Sequence, residues 1–223
     1  MRKVLADLKQ LSDVSFEIIL TINVPEDMSF VSEFDDLPIN VLTNSIAKGF
    51  GQNHNQAFRA AKGDYFAVVN PDIRAENLRL SPIIETVSQD GVGACAPEVR
   101  SSTGELEDSA RHFPSLLELI GKVLLKKKRQ GYTWQSEPVK VDWVGGMFIV
   151  FPRKIYSEVG GFDERYFMYY EDVDICRRLG LRKLAVMLEP RVCVIHDAQR
   201  ASWKNSQHRK WHLRSVLRYF LNV

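Results

Sequence analysis

The chain has 223 residues, of which 45% are hydrophobic and 26% charged, the balance of a soluble globular protein with a core large enough for one domain. A formal net charge of +2 excludes neither anionic nor neutral partners, but the basic residues gather in two places, "KKKR" at 126–129 and the run from Arg200 to Arg218. No apolar run approaches membrane-spanning length, and the basic runs lack interleaved aromatics except at the C-terminus, which argues against a spanning protein and against nucleic-acid binding.

In chain order, "MRKVLADLKQL" places Val4, Leu5, Leu8 and Leu11 at helical spacing and reads as an amphipathic helix, not a secretion leader. "FEIILTI" is a β-rich run ended by "NVPED", and "INVLTN" is a second short strand. "GFGQNHNQAFRAAKG" is a glycine-opened turn into a helix that stops at Gly63. "DYFAVVNPDI" is an apolar strand ending at Asn-Pro-Asp, followed by the helix "LSPIIETVSQD", the strand "VGACAPEV" and the loop "SSTGELEDSARHFPS". The spacing predicts an amphipathic helix over 116–129, an apolar strand in "VDWVGGMFIVFP" and a helix in "RKIYSEVGGF". A further helix is expected from Glu171 to Leu179–Gly180, then the strands "LAVMLEP" and "RVCVIH" and a closing amphipathic helix, "HRKWHLRSVLRYFLNV". Strands alternating with helices imply a mostly parallel sheet covered on both faces. Cys95, Cys176 and Cys193 lack metal-type spacing; Cys95 and Cys193 lie in apolar runs and read as buried fillers. An odd cysteine count without a framework fits a reducing, cytoplasmic setting.

Four places carry unusual chemistry. Asp72 stands at the carboxyl end of its strand, the edge at which open α/β sheets bind ligands, although it could simply cap the following helix. Gly49 and Gly51 precede a helix whose first turn holds Asn53, His54 and Asn55, a geometry that suits phosphate but often binds nothing. His54 reads as a hydrogen-bonding or surface histidine in preference to a metal ligand. Gly145 and Gly146 sit in a strong strand, where a bulge or a close backbone approach would explain them. "GGFDERYFMYYEDVDICRRL" sets Asp163, Glu164, Glu171, Asp172 and Asp174 around four aromatic rings. Acids at the start and Arg177 and Arg178 at the end of that helix complement its dipole. The rings before it fit instead a pocket for flat, polar groups such as sugars. A helix start lowers the pKa of Asp172 while neighbouring acids raise it, as a general base requires.

"GFGQNHNQAF", "GDYFAVVNPDI", "WVGGMFIVFPRKIYSEVGGFDERYFMYYEDVDICRRL" and "VCVIHDAQRAS", spanning Asn44 to Ser202, together resemble the inverting GT-A-fold glycosyltransferases of family 2, especially the rhamnosyltransferase-like branch. "HLRSVLRYF" is similar to that family's C-terminal helix. The resemblance implies an α/β, Rossmann-like GT-A sheet flanked by helices in one domain, with a nucleotide-sugar half over 1–100, an acceptor and catalytic half over 101–200 and a C-terminal amphipathic helix over 201–223. It implies Asp72 of "NPD" and His196 as ligands of a divalent metal, Mn²⁺ or Mg²⁺, with the imidazole favouring Mn²⁺. Asn70 would lie near the ribose, with Asn23, Asn44, Gly49 and Asn53 on the donor side. Asp172 of "YED" would be the catalytic base and Glu171 would orient acceptor or base. Trp143, Gly145, Gly146 and Tyr170 would line the acceptor side. Arg111 would meet phosphate or acceptor, or form a surface salt bridge. The implied partners are a dTDP-, UDP- or GDP-linked sugar and a saccharide or lipid-linked acceptor of bacterial surface polysaccharide synthesis.

The family's opening strand has no evident counterpart. "FEIILTIN" stands as the second strand, with Ile22 in place of the usual aspartate and Asn23 kept, or else as the first strand, with Thr21 and Asn23 facing the nucleotide. On the first alignment a central strand is missing, which would leave unpaired ladder groups. A coding start further upstream, a rearranged sheet or a relative that binds without transferring would each account for it. A nucleotidyltransferase on a similar sheet would open with a Gly-rich phosphate loop, which is not visible. In the last helix Leu213, Val216, Leu217, Phe220 and Leu221 fall on one face beside a basic stripe of Lys210, Arg214 and Arg218, a pattern for peripheral association with the inner face of a membrane or for packing on the domain or a second subunit.

Overall fold

The computed structural model describes residues 1–115, 131–196 and 206–221, so the helix expected over 116–129 lies outside the described residues. Helix α1 (Arg2–Leu8) buries Val4 and Leu5 as their spacing requires. Its Asp7 is buried too, because it takes the Arg74 guanidinium at 2.8 and 3.0 Å and the Ala75 N–H at 2.9 Å. That fork ties α1 to the chain just beyond Asp72. Strands β1 (Ile18–Ile22) and β2 (Ile39–Thr43) pair in parallel and form a two-stranded sheet of their own. Neither strand has a ladder partner in the main sheet among the described residues.

Helix α2 (Phe50–Ala60) leads to β3 (Tyr65–Val69), the Asn-Pro-Asp turn, β4 (Ile73–Arg74), α3 (Ser81–Val87) and β5 (Val92–Ser101). The expected apolar strand divides: β7 (Val139–Val141) and β8 (Trp143–Val144) precede a turn at Gly145, and β9 (Phe148–Pro152) follows it. β8 pairs with β6 (Ala110–Arg111), inside the segment expected to be all loop. Helices α4 (Arg153–Glu158) and α5 (Glu171–Leu181) come next, the latter within two residues of its expected end. The two late strands are one, β10 (Ala185–His196), with a register shift around Pro190, which has no N–H to give the ladder. Helix α6 (Ser206–Leu221) closes the chain.

The main sheet has the order β3-β9-β5-β10-β4, with β7 also on β10. The α/β class and the flanking helices are as expected, but the sheet is mixed where a mostly parallel one was expected. β3 and β5 run the same way, as a helical crossover demands, while β9 slots between them antiparallel to both; β10 and β5 are parallel. One face buries Phe66, Val68, Phe151, Tyr156 and Phe162 under α2, α4 and α5; the other buries Ile73, Ile83, Val150 and Val194 beneath α3. Cys95 and Cys176 are buried, but Cys193 is exposed, since it falls on the outward phase of an alternating strand.

Helix α6 lies on the 165–170 loop: the Trp211 ring is 4.6 Å from Phe167, Tyr219 is 5.4 Å from Tyr170, and Ser215 Oγ donates to the Met168 carbonyl at 2.9 Å. This packing divides the apolar face expected of it. Val216 and Tyr219 turn inward, whereas Leu213, Leu217 and Leu221 remain exposed, because the loop beneath is itself aromatic and engages the helix's rings. Among the described residues no helix is long and apolar enough to cross a membrane.

Candidate active site

The five carboxylates around α5 separate into two groups. Asp163 forks with Arg165, Glu164 accepts from Asn55 Nδ2 at 3.0 Å, and Asp174 holds Arg178 at 2.7 Å. These three are structural. Glu171 and Asp172 remain, lifted into place by Tyr169 and Tyr170, which both adopt left-handed backbone with φ of 73° and 68°. Two consecutive bulky residues in that region cost about 1–3 kcal/mol each, a strain that must be held by the surrounding packing.

Asp172 takes the Gly146 N–H on Oδ2 at 3.1 Å and the Val173 N–H on Oδ1 at 2.8 Å. Gly146 permits that approach: a Cβ there would stand 3.2 Å from the Phe50 ring and 3.6 Å from Asp172 Cβ. Burial raises the pKa of Asp172 above the ordinary aspartate value, against the two N–H donors and the positive Arg111. Glu171 is pushed up further, by burial first and the adjacent Asp172 second, and its Oε2 is buried with no protein partner. A buried carboxylate with raised proton affinity beside an aromatic loop can deprotonate a hydroxyl.

A second group forms where β3 and β10 end. His196 Nε2 is 3.4 Å from Asp72 Oδ2, and its Nδ1 is 2.9 Å from Glu107 Oε2. The hydrogen bond to Asp72, with Glu107 adding to it, raises the His196 pKa to about 9 against burial. The same bond holds the Asp72 carboxyl below its ordinary value. Asp72 Oδ1 is buried with no protein partner, an oxygen that could take a cation. Among the described residues no three acid, histidine or cysteine side chains converge on one point. Glu107 contacts the opposite ring nitrogen from Asp72, so it braces the imidazole, and Asp72 and His196 are the two side chains that could hold a cation. Two protein ligands completed by diphosphate oxygens and water suit Mn²⁺ or Mg²⁺. A cleft of about 510 Å³ opens here, bordered by Arg2, Lys3, Asp27, Phe30, Asp72 and Arg74.

Asn23, Asn44 and Asn53 meet at the carboxyl ends of β1 and β2. Asn44 Nδ2 donates to Asn53 at 2.7 Å and to Asn23 at 3.1 Å, and Asn23 Oδ1 accepts the Lys48 N–H at 2.8 Å. Asn44 Oδ1 is buried and free of protein partners. Asn70 lies in the turn before Asp72, its N–H donating to the Met147 carbonyl at 2.9 Å. Gly49 packs on the 165–170 loop: a Cβ would come within 2.7 Å of the Phe167 carbonyl oxygen. Trp143 is buried, its Nε1 donating to the His112 carbonyl at 2.9 Å, with Arg111 5.3 Å above its ring. Arg111 also pairs with Asp108 at 2.9 Å, the salt bridge weighed from sequence. Gly145 forms the turn between β8 and β9. The His54 ring lies tilted 4.5 Å from Phe50 and burial lowers its pKa to about 4, so it is a half-buried neutral group. Sequence reasoning missed two residues. Glu107 looked like any loop acid. Asn55 accepts from Tyr156 Oη at 2.8 Å and the Phe162 N–H at 3.0 Å, fixing the loop that leads to Asp172, and only its place in a glycine-opened helix hinted at it.

Residues 1–160 match the model of the Glycosyl transferase family 2 domain. The chain belongs to that family. As a family 2 glycosyltransferase it is 34% identical over 184 residues to the rhamnosyltransferase WbbL of Escherichia coli K12, covering 77% of this chain and 69% of WbbL. It is 32% identical over 143 residues to the N-acetylglucosaminyl-diphospho-decaprenol L-rhamnosyltransferase of Mycobacterium tuberculosis H37Rv, covering 60% of this chain and 47% of that protein. Its fold is similar to that of GalNAc-T7, solved with UDP, GalNAc and Mn²⁺ (TM-score 0.66, 17% identity, 90% of this chain and 41% of that one). It is also similar to the mannosyltransferase PcManGT of Pyrobaculum calidifontis, solved with GDP-Man and Mn²⁺ (TM-score 0.59, 15% identity, 93% and 55%). This transferase therefore spans about half the length of the mycobacterial relative and of the solved neighbours. The match to GT-A glycosyltransferase structures agrees with the fold class expected from sequence.

Proposed function

We propose that this chain transfers a deoxysugar of the rhamnose type, with inversion, from a nucleotide sugar to a saccharide or lipid-linked saccharide in bacterial surface polysaccharide synthesis, on the cytoplasmic side. The observation that carries the reading is Asp172: a half-buried carboxyl of raised pKa beside the buried Glu171, aimed by a left-handed Tyr170 and steadied by the Gly146 N–H. Asp172 takes the proton of the acceptor hydroxyl as that oxygen attacks the anomeric carbon, while Glu171 beside it favours keeping only one of the two carboxyls ionised. Trp143, Gly145, Gly146 and Tyr170 border the acceptor. Asn23, Asn44, Gly49, Asn53 and Asn70 belong to the donor side, where the free Asn44 Oδ1 supports a polar ligand. Asp72 and His196 would hold a divalent ion, which when bound neutralises the leaving diphosphate. The rhamnosyl and lipid-linked specificity is supported by the names of the relatives, and the dTDP, UDP or GDP donor class by the nucleotides in the solved neighbours. A relative that binds the donor without transferring is favoured by the detached β1–β2 sheet, and the same experiment separates the two.

The test combines calorimetry on a nucleotide-sugar panel, with and without Mn²⁺, and a transfer assay. Asp172→Asn is expected to lower kcat by about 10²–10⁴-fold with donor affinity nearly unchanged, as for loss of a general base. Asp72→Ala is expected to remove the Mn²⁺ dependence of donor binding. Donor binding without any transfer by the unmodified chain would select the binding-only reading; Mn²⁺-dependent binding that survives Asp72→Ala would make "NPD" only a turn.

A further inference from the structure

We propose that the outward face of α6 docks on an anionic lipid bilayer. The helix is committed on its inner side, where Trp211, Ser215 and Tyr219 hold the 165–170 loop. On the other side Leu213, Leu217 and Leu221, at i, i+4 and i+8, form one stripe and are 60%, 50% and 64% exposed. Exposed Arg209, Lys210 and Arg214 flank that stripe, and α6 contains no acidic residue. Three leucines bordered by cations on a helix that carries no anion fit the headgroup and upper acyl region of a bilayer bearing negative lipids. A second copy of the chain fits poorly. Any pairing of α6 with itself sets cations against cations, with no carboxylate on either helix to relieve them.

The placement has a consequence for the acceptor, which rests on the transferase reading above. The loop beneath α6 continues through Tyr169 and Tyr170 into Glu171 and Asp172, so the docked helix would hold the proposed base on the bilayer side of the molecule. An acceptor anchored in that bilayer would then enter the cleft from the α6 side.

The experiment is co-sedimentation of the full chain with vesicles of phosphatidylcholine alone or mixed with phosphatidylglycerol, beside nucleotide-sugar binding in solution. The chain is expected to partition onto phosphatidylglycerol vesicles, less so as salt rises, and to ignore pure phosphatidylcholine. The double variant Leu213→Ser, Leu217→Ser should lower that partition by about tenfold or more, with Tm and donor affinity unchanged because both leucines lie outside the core. Lys210→Glu with Arg214→Glu should act in the same direction. A chain that stays in solution with phosphatidylglycerol vesicles overturns the proposal, as does a solution dimer that the serine variant dissociates while vesicle binding is unaffected. Donor binding and transfer without vesicle binding would sink the docking surface and leave the transferase reading intact. Vesicle binding without donor binding would support the docking surface and sink the transferase reading.

Discussion

Glu107 decides which nitrogen of His196 faces Asp72. A divalent ion on Nε2 would displace the hydrogen now shared with Asp72, and the ring's remaining hydrogen would then sit on Nδ1, 2.9 Å from Glu107 Oε2. Removing such an outer partner usually weakens metal binding by about 10–100-fold. Glu107→Ala is therefore expected to lower Mn²⁺ affinity by that order, while Glu107→Gln, whose carbonyl still accepts the hydrogen, loses less. Mn²⁺ titration reads the affinity, and ¹⁵N shifts of the His196 ring read the tautomer; an alanine variant with unchanged affinity and tautomer would remove Glu107 from the site. Asp72 stood out in the sequence as an acid at the carboxyl end of a strand, whereas His196 and the role of Asp172 came from the family resemblance. Glu107 was not legible, since it is 89 residues from His196 in a loop rich in acids.

At the scale of the element, the entry into α5 combines two strained tyrosines with a buried Glu171. The helix itself was readable from its acidic start and basic end, and so was the importance of the Gly145–Gly146 pair. The left-handed Tyr169–Tyr170 step was not, because tyrosine carries no signal for positive φ and the step is imposed by packing against α6 and Phe50's loop. Glu171 supplies a stability test. Its folded pKa is raised, so above the ordinary glutamate pKa the unfolded chain has released a proton that the folded chain still holds. Stability is then fully present at low pH and falls as pH rises from about 4.3 toward the raised folded value. Glu171→Gln cannot ionise and escapes that loss. Thermal unfolding at pH 4 is expected to show little difference from the unmodified chain, and at pH 8 a higher Tm for the variant by a few degrees. A variant destabilised equally at both pH values would mean that Glu171 is held by hydrogen bonds and bears no burial penalty.

Across the whole molecule, the alternation of strands and helices was enough to forecast an α/β fold, but not the place of β9. A strand that enters between two others is chosen by long-range packing, here Phe148 to Phe151 buried between the two core faces, and its direction leaves no local trace. The detached β1–β2 sheet is the molecule's other departure, and it makes a prediction about dynamics. Two strands alone are marginally stable, and among the described residues β1 pairs only with β2. Leu20 and Ile22 are buried and Asn44 bridges to α2, so the pair is anchored at its carboxyl end, beside the proposed donor residues. Opening there leaves the main sheet's ladder intact, so native-state hydrogen exchange should find the Leu20–Ile22 amides protected about 10²-fold less than those of Cys95–Val99. A bound nucleotide sugar that bridges the asparagine cluster and Asp72 would oppose that opening, since a ligand that binds only the closed form raises protection with its concentration. Equal protection of both sheets without ligand would show that they unfold as one unit, and the binding-only reading would lose the feature that favours it.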